Sequence, residues 1–96
     1  MTVGAHDAPR TFDPDLPARL HPLVALRPES FGALAYHYGN RRLTFVKSPA
    51  LVEVLDDLSS HGSARDAVAA HVADDQVELF IAALGRLFDS EVVDGR

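Results

Sequence analysis

Two kinds of hydrophobic periodicity divide the chain near residue 48. Before that point, short runs at residues 23–27, 32–38 and 41–47 have the composition and alternation typical of strands. After it, apolar positions recur every three or four residues over about 49–60, 64–72 and 76–89, which is typical of amphipathic helices. The pattern therefore predicts an α+β fold with the element order β-β-β-α-α-α.

The second and third predicted strands meet at Gly39-Asn40. A two-residue step of this type between alternating runs predicts a tight hairpin, and its length sets the register. Tyr36 should lie opposite Leu43, and Leu34 opposite Phe45. We expect these four larger side chains to face the core, because the other face of the hairpin carries small and mixed residues that suit solvent.

Helix starts and chain ends complete the predicted organisation. Ser48-Pro49 is typical of a helix N-cap followed by proline in the first turn, and Ser63 with Asp66 resembles a capping box. Residues 1–22 hold four of the six prolines and show no sustained period. We therefore expect a flexible tail over residues 1–20, a folded domain over 21–92 and a short tail over 93–96.

Charge is distributed unevenly between the two halves. The net charge is −5, but residues 1–48 carry six Lys/Arg against four Asp/Glu, and residues 49–96 carry three against ten. This balance argues against a role in coating nucleic acid or an anionic membrane. No apolar run approaches the length of a membrane span, and the N-terminus lacks the layout of a signal peptide. We expect a cytoplasmic protein.

Residues with catalytic or metal-binding chemistry form no recognisable constellation. There is no cysteine, no nucleophile elbow and no phosphate-binding glycine loop. None of the five histidines has another histidine four residues away, and His61 and His71 are ten residues apart. The sequence therefore predicts a non-enzyme with no catalytic residues, no cofactor and no metal site.

Two predicted elements have features that packing within one small domain does not explain. The third helix has excess apolar surface, and the third strand has an exposed edge. In the third helix, the apolar arc extends over roughly 200°, because Leu79, Phe80, Ala83 and Leu87 widen the stripe of core-facing positions. The third strand is an edge of the predicted sheet, with Arg41, Arg42 and Lys47 at its ends and Leu43-Thr44-Phe45-Val46 between them. Such an edge can accept a strand from another chain, and the flanking cations suit an acidic peptide. The chain's own N-terminal arm or a second copy could also cover it.

The segment VALRPESFGALAYHYGNRRLTFVK, at residues 24–47, resembles the peptide chaperones of mycofactocin biosynthesis. Through them the chain is similar to the wider group of precursor-peptide recognition elements, which includes the pyrroloquinoline-quinone peptide chaperone. The likeness extends over about residues 20–90 and is most specific at ALRPE, FGAL and YHYGNRRLTF. Residues 1–19 resemble nothing that we can name.

The resemblance implies a winged-helix-like domain without catalytic activity. Members of the family bind the leader region of a small precursor peptide as a strand added beside the third strand, in a groove against the third helix. They present the peptide to a radical S-adenosylmethionine enzyme. The positions that this resemblance assigns to peptide binding are Arg42, Leu43, Thr44, Phe45 and Val46 on the strand and Val77, Phe80, Ile81, Leu84 and Leu87 on the helix.

Two other functions remain open on sequence grounds. A winged-helix DNA-binding protein is one, although its recognition helix would carry Asp75, Glu78 and Asp89 against Arg86 alone. A structural subunit that dimerises edge to edge through Leu43–Val46 is the other. The sequence does not define the oligomeric state.

Overall fold

The computed structural model describes residues 11–95, and it has the predicted α+β architecture of a three-stranded antiparallel sheet followed by three helices. Two short 3₁₀ segments, Leu58–Ser60 and Asp74–Gln76, precede the second and third helices. Within the described residues, no helix is long and apolar enough to cross a membrane. In chain order the elements are β1 (Ala18–Leu20), β2 (Val24–Glu29), β3 (Gly32–His37), β4 (Leu43–Val46), α1 (Pro49–Asp57), α2 (Ala64–His71), α3 (Val77–Asp89) and β5 (Val93–Gly95).

The main sheet has the order β2-β3-β4, so β4 is an edge strand. The predicted register is confirmed, with Tyr36 opposite Leu43 and Leu34 opposite Phe45. The connection is longer than the predicted two-residue turn. His37 donates its N–H to the carbonyl of Arg42 over 3.0 Å, and Arg41 has a φ of 64°, so the reversal occupies residues 38–41. The side chain of His37 supports it, because its Nδ1 accepts the N–H groups of Gly39 and Asn40.

The prediction of which hairpin face meets the core was wrong. Ala33 and Ala35 are 1% exposed, whereas Leu43 and Phe45 are 53% and 56% exposed. The small residues face inward because α1 packs against β3, and a methyl side chain allows a helix to approach a sheet closely. Leu34 and Tyr36 are half-buried on the outer face. The buried face of the hairpin consists of Ala33, Ala35, His37 and Val46.

Both predicted serine caps are confirmed. Leu51 donates its N–H to Ser48 Oγ over 3.1 Å at the start of α1, and Asp66 does the same to Ser63 Oγ at the start of α2. These caps satisfy donors that would otherwise lack an intrahelical partner. The core lies between the helices and the inner face of the sheet, and its most deeply buried large side chains are Leu55, Leu58, Leu84, Val46, Val54, Val68, Val92 and Val93.

The chain segments on either side of the predicted domain also belong to the folded structure. β1 and β5 pair antiparallel as a separate two-stranded sheet, in which Ala18 and Val93 are buried. The carbonyl of Leu16 accepts the N–H of Ala64, which ties the segment before β1 to the start of α2. Residues 11–20 and 93–95 therefore differ from the flexible tails expected there. The rest of those expected tails, residues 1–10 and 96, lies outside the described residues.

Candidate functional site

A groove with a volume of about 530 Å³ separates the edge strand β4 from α3. Its strand side continues into the N-terminus of α1, and its helix side is formed by one face of α3. Most of its wall is apolar, so it suits apolar side chains of a ligand. The lining residues are Thr44, Phe45, Val46, Lys47, Ser48, Leu51, Leu79, Phe80, Ala83, Arg86, Leu87 and Ser90.

Among residues 11–95, β4 pairs with β3 alone, so its other edge along this groove has backbone groups without a strand partner from that range. Because the carbonyl of Arg42 accepts the N–H of His37, alternation along the antiparallel ladder directs the N–H and C=O of Thr44 and Val46 toward β3. The same alternation directs those of Leu43 and Phe45 away from the sheet. An extended segment placed beside β4 could therefore form about four main-chain hydrogen bonds with these two residues.

α3 divides its apolar residues between the core and the groove. Ile81, Leu84 and Leu87 are buried, and Leu87 also forms part of the groove wall. Leu79 is 60% exposed at the groove, beside the partly buried Phe80 and Ala83. The apolar arc of α3 is wide because it includes both a core-facing surface and a groove-facing surface.

The ten positions assigned to peptide binding by resemblance separate into three groups. Arg42 immediately precedes β4 and Leu43 is its first residue, and neither lines the groove. Val77, Ile81 and Leu84 pack in or against the core. The remaining five line the groove together, and they are Thr44, Phe45, Val46, Phe80 and Leu87.

Sequence reasoning left out seven residues of the groove wall. Leu79 and Ala83 were already visible as excess apolar positions of the third helix, and Lys47 as a cation at the end of the edge strand. Ser48 and Leu51 were explained by helix capping and by the core stripe of α1, so nothing marked them as groove residues. Arg86 and Ser90 lie at the C-terminal end of α3, and only the placement of α3 across the groove from β4 brings them to this wall.

Four cationic side chains lie along or beside the groove without a salt bridge to any residue of the described part of the chain. Lys47 and Arg86 line the groove itself, and Arg41 and Arg42 precede β4. Lys47 Nζ lies 6.0 Å from the ring centroid of Phe45, so its charge lies over an apolar surface. The groove therefore combines an apolar floor with positive charge at its margins, which favours an acidic and partly apolar ligand.

Comparison with known proteins places this architecture in a family. The model of the peptide chaperone MftB family matches residues 17–94. The chain belongs to the peptide chaperone MftB family. A curated relative named peptide chaperone MftB, from Mycolicibacterium smegmatis, is 52% identical over 84 residues, which are 86% of this chain and 82% of that protein. No solved structure matches the chain.

Two further relatives carry the same name. Those from Mycobacterium ulcerans and Mycobacterium tuberculosis are 48% and 47% identical over 64 residues, which are 67% of this chain and 59% of each relative. These matches confirm the resemblance to the mycofactocin peptide chaperones. The MftB family is named for a chaperone and not for an enzyme, in agreement with the prediction of a non-enzyme.

Proposed function

We propose that this member of the MftB family binds the leader segment of a precursor peptide as a strand added to β4. In this arrangement, main-chain groups of the peptide pair with Leu43 and Phe45, and alternate side chains enter the groove toward α3. The observation that carries the proposal is an edge of β4 that no described strand pairs with, beside an apolar groove in a chain of this family.

The bound peptide would then be presented to a radical S-adenosylmethionine enzyme of mycofactocin biosynthesis in the cytoplasm, with no part for nucleic acid or membrane. Strand addition holds the leader in an extended form and leaves the segment that follows it free for modification. The chaperone itself needs no reactive group for this task. The resemblance of residues 20–90 to precursor-peptide recognition elements supports this role.

Leu43→Pro tests strand addition while sparing the hairpin. Its N–H points away from β3, so proline removes a donor that only an added strand would use. We expect calorimetric titration with the leader peptide of the precursor encoded beside this protein to show about fivefold weaker binding, which corresponds to one net hydrogen bond. Leu43→Ala is the matched control, because it shortens the same side chain and keeps the N–H. Equal affinity of Leu43→Pro and Leu43→Ala would contradict strand addition.

Edge-to-edge dimerisation through β4 predicts different results for the mass in solution and for peptide binding by the same proteins. A dimer would have twice the mass of the chain in solution, and Leu43→Pro would restore the monomer. A scrambled peptide of the same composition would then bind as well as the leader, or neither would bind. A monomer that binds the leader alone supports the chaperone function.

A further inference from the structure

Two histidine side chains meet one aspartate at the ends of the first two helices. Asp57 is the last residue of α1, His61 follows the 3₁₀ segment, and His71 is the last residue of α2. His61 Nε2 lies 2.7 Å from Asp57 Oδ2, and His71 Nε2 lies 2.9 Å from the same oxygen. None of the three lines the groove. The spacing of ten residues between the histidines gave no indication of this cluster.

The convergence has the composition of a metal-binding site. The imidazole nitrogens and the carboxylate oxygen lie within 4.8 Å of one another. Two imidazoles with one carboxylate are a ligand set that Zn²⁺ takes readily, with bonds of about 2.0–2.2 Å to nitrogen and oxygen. Ligand atoms of a tetrahedral site are then about 3.3 Å apart, so the two distances from Asp57 Oδ2 to the histidine nitrogens need to open by about half an ångström.

Solvent can reach the cluster. The side chains of His61, His71 and Asp57 are 24%, 23% and 37% exposed. This exposure provides an entry path for an ion and space for a water molecule as a fourth ligand.

A nearby carboxylate can support the histidine tautomer that metal binding requires. An imidazole that ligates through Nε2 carries its proton on Nδ1, and that N–H is usually accepted by a carboxylate or a carbonyl. Glu53 Oε1 lies 3.8 Å from His71 Nδ1, one turn before Asp57 on α1. A small rotation of the Glu53 side chain would bring the two atoms within hydrogen-bonding distance.

We propose that Asp57, His61 and His71 bind a divalent transition-metal ion, with Zn²⁺ as the best fit to the ligand set. On binding, the metal replaces the two Nε2–H···Oδ2 hydrogen bonds. A neutral imidazole that donated its Nε2–H moves that proton to Nδ1 so that Nε2 can ligate, whereas an imidazolium releases one proton to solvent. The ion would join the C-terminal end of α1 to that of α2. This site is independent of peptide binding.

The test is a titration of untagged, chelator-treated full-length protein with Zn²⁺ in a calorimeter. We expect one ion per chain, a dissociation constant on the order of micromolar or lower, and a rise in unfolding temperature when the ion is present. His61→Gln and His71→Gln keep an amide donor for Asp57 but supply a poor metal ligand, so each should weaken binding at least tenfold. His21→Asn is the control, because it removes a histidine outside the cluster and retains an acceptor for the N–H of Leu23.

The outcomes separate a metal site from a hydrogen-bonded cluster. Absence of one-to-one binding, or equal binding by the wild type and both glutamine variants, would overturn the proposal. If a variant fails to fold, NMR of the imidazole nitrogens of the wild-type protein tests the site instead. Zn²⁺ should shift Nε2 of two histidines, those of His61 and His71, and a shift confined to other histidines would contradict the assignment.

Discussion

Gly32 lies where the β2–β3 turn passes the last residue of β4. Its φ is +147°, and a Cβ at this position would overlap the carbonyl oxygen of Val46 and lie 2.9 Å from the nitrogen of Ser48. Both contacts are with backbone, which cannot move without shifting β4 or the cap of α1. Only glycine therefore fits where this turn passes Val46 and Ser48, two residues that line the groove.

Gly32→Ala should destabilise the protein by about 1–3 kcal/mol because of this backbone conformation and clash. The measurement is the midpoint of urea unfolding. Gly62→Ala is the matched control, since the nearest atom to its Cβ would be Asp66 Oδ2 at 3.9 Å and its φ needs no glycine. If both variants lost the same stability, this account of Gly32 would be incorrect.

Single residues also explain why the sequence predicted the hairpin register and not its orientation. Alternation determines that Tyr36, Leu43 and Phe45 share a face, and the structure confirms that grouping. It does not determine which face a helix will cover. The face with Ala33 and Ala35 lets α1 approach the sheet more closely than the face with the larger side chains would. Which face is buried therefore depends on α1, which lies outside the hairpin.

At the scale of elements, α3 has one apolar face in the core and another at the groove. Periodicity alone predicted the excess of apolar residues but could not divide them, because the 3.6-residue repeat places groove and core positions side by side. The paired strands β1 and β5 were not predicted either. Each has three residues, and their partners are more than 70 residues apart in sequence, so no local pattern indicates the pairing.

Leu79→Asp should separate the two faces of α3. Leu79 is 60% exposed, so the fold should survive, while the loss of its apolar contact should weaken binding of the leader peptide about tenfold or more. Ala82→Asp adds the same charge at an exposed position of α3 outside the groove and should leave affinity nearly unchanged. Similar losses of affinity in Leu79→Asp and Ala82→Asp would show that the added charge on α3, and not the groove contact of Leu79, weakens binding.

At the scale of the whole molecule, cations gather near the groove while the helical half is acidic. Lys47 and Arg86 line the groove, and Arg41 and Arg42 precede β4, whereas residues 49–96 carry ten acidic side chains. The sequence predicted the positive flank of the edge strand. It could not bring Arg86 to the same place, because that depends on where α3 lies relative to β4 in the folded chain.

Affinity for an acidic leader should fall as salt rises, and Arg86→Gln should reduce this dependence. We expect a several-fold loss of affinity at low ionic strength and a smaller loss at high ionic strength. Arg27→Gln is the control, since this exposed arginine lies on β2, two strands from the peptide edge. Identical salt dependence in the two variants would remove the electrostatic part of the account.

The most direct test of strand addition is amide hydrogen exchange, residue by residue, with and without the leader peptide. The account predicts that the N–H groups of Leu43 and Phe45 exchange rapidly in the free protein and become protected when the leader is bound. Those of Thr44 and Val46, already directed toward β3, should change little, and a scrambled peptide should protect none of the four. Tight leader binding without new protection at Leu43 and Phe45 would contradict the central claim.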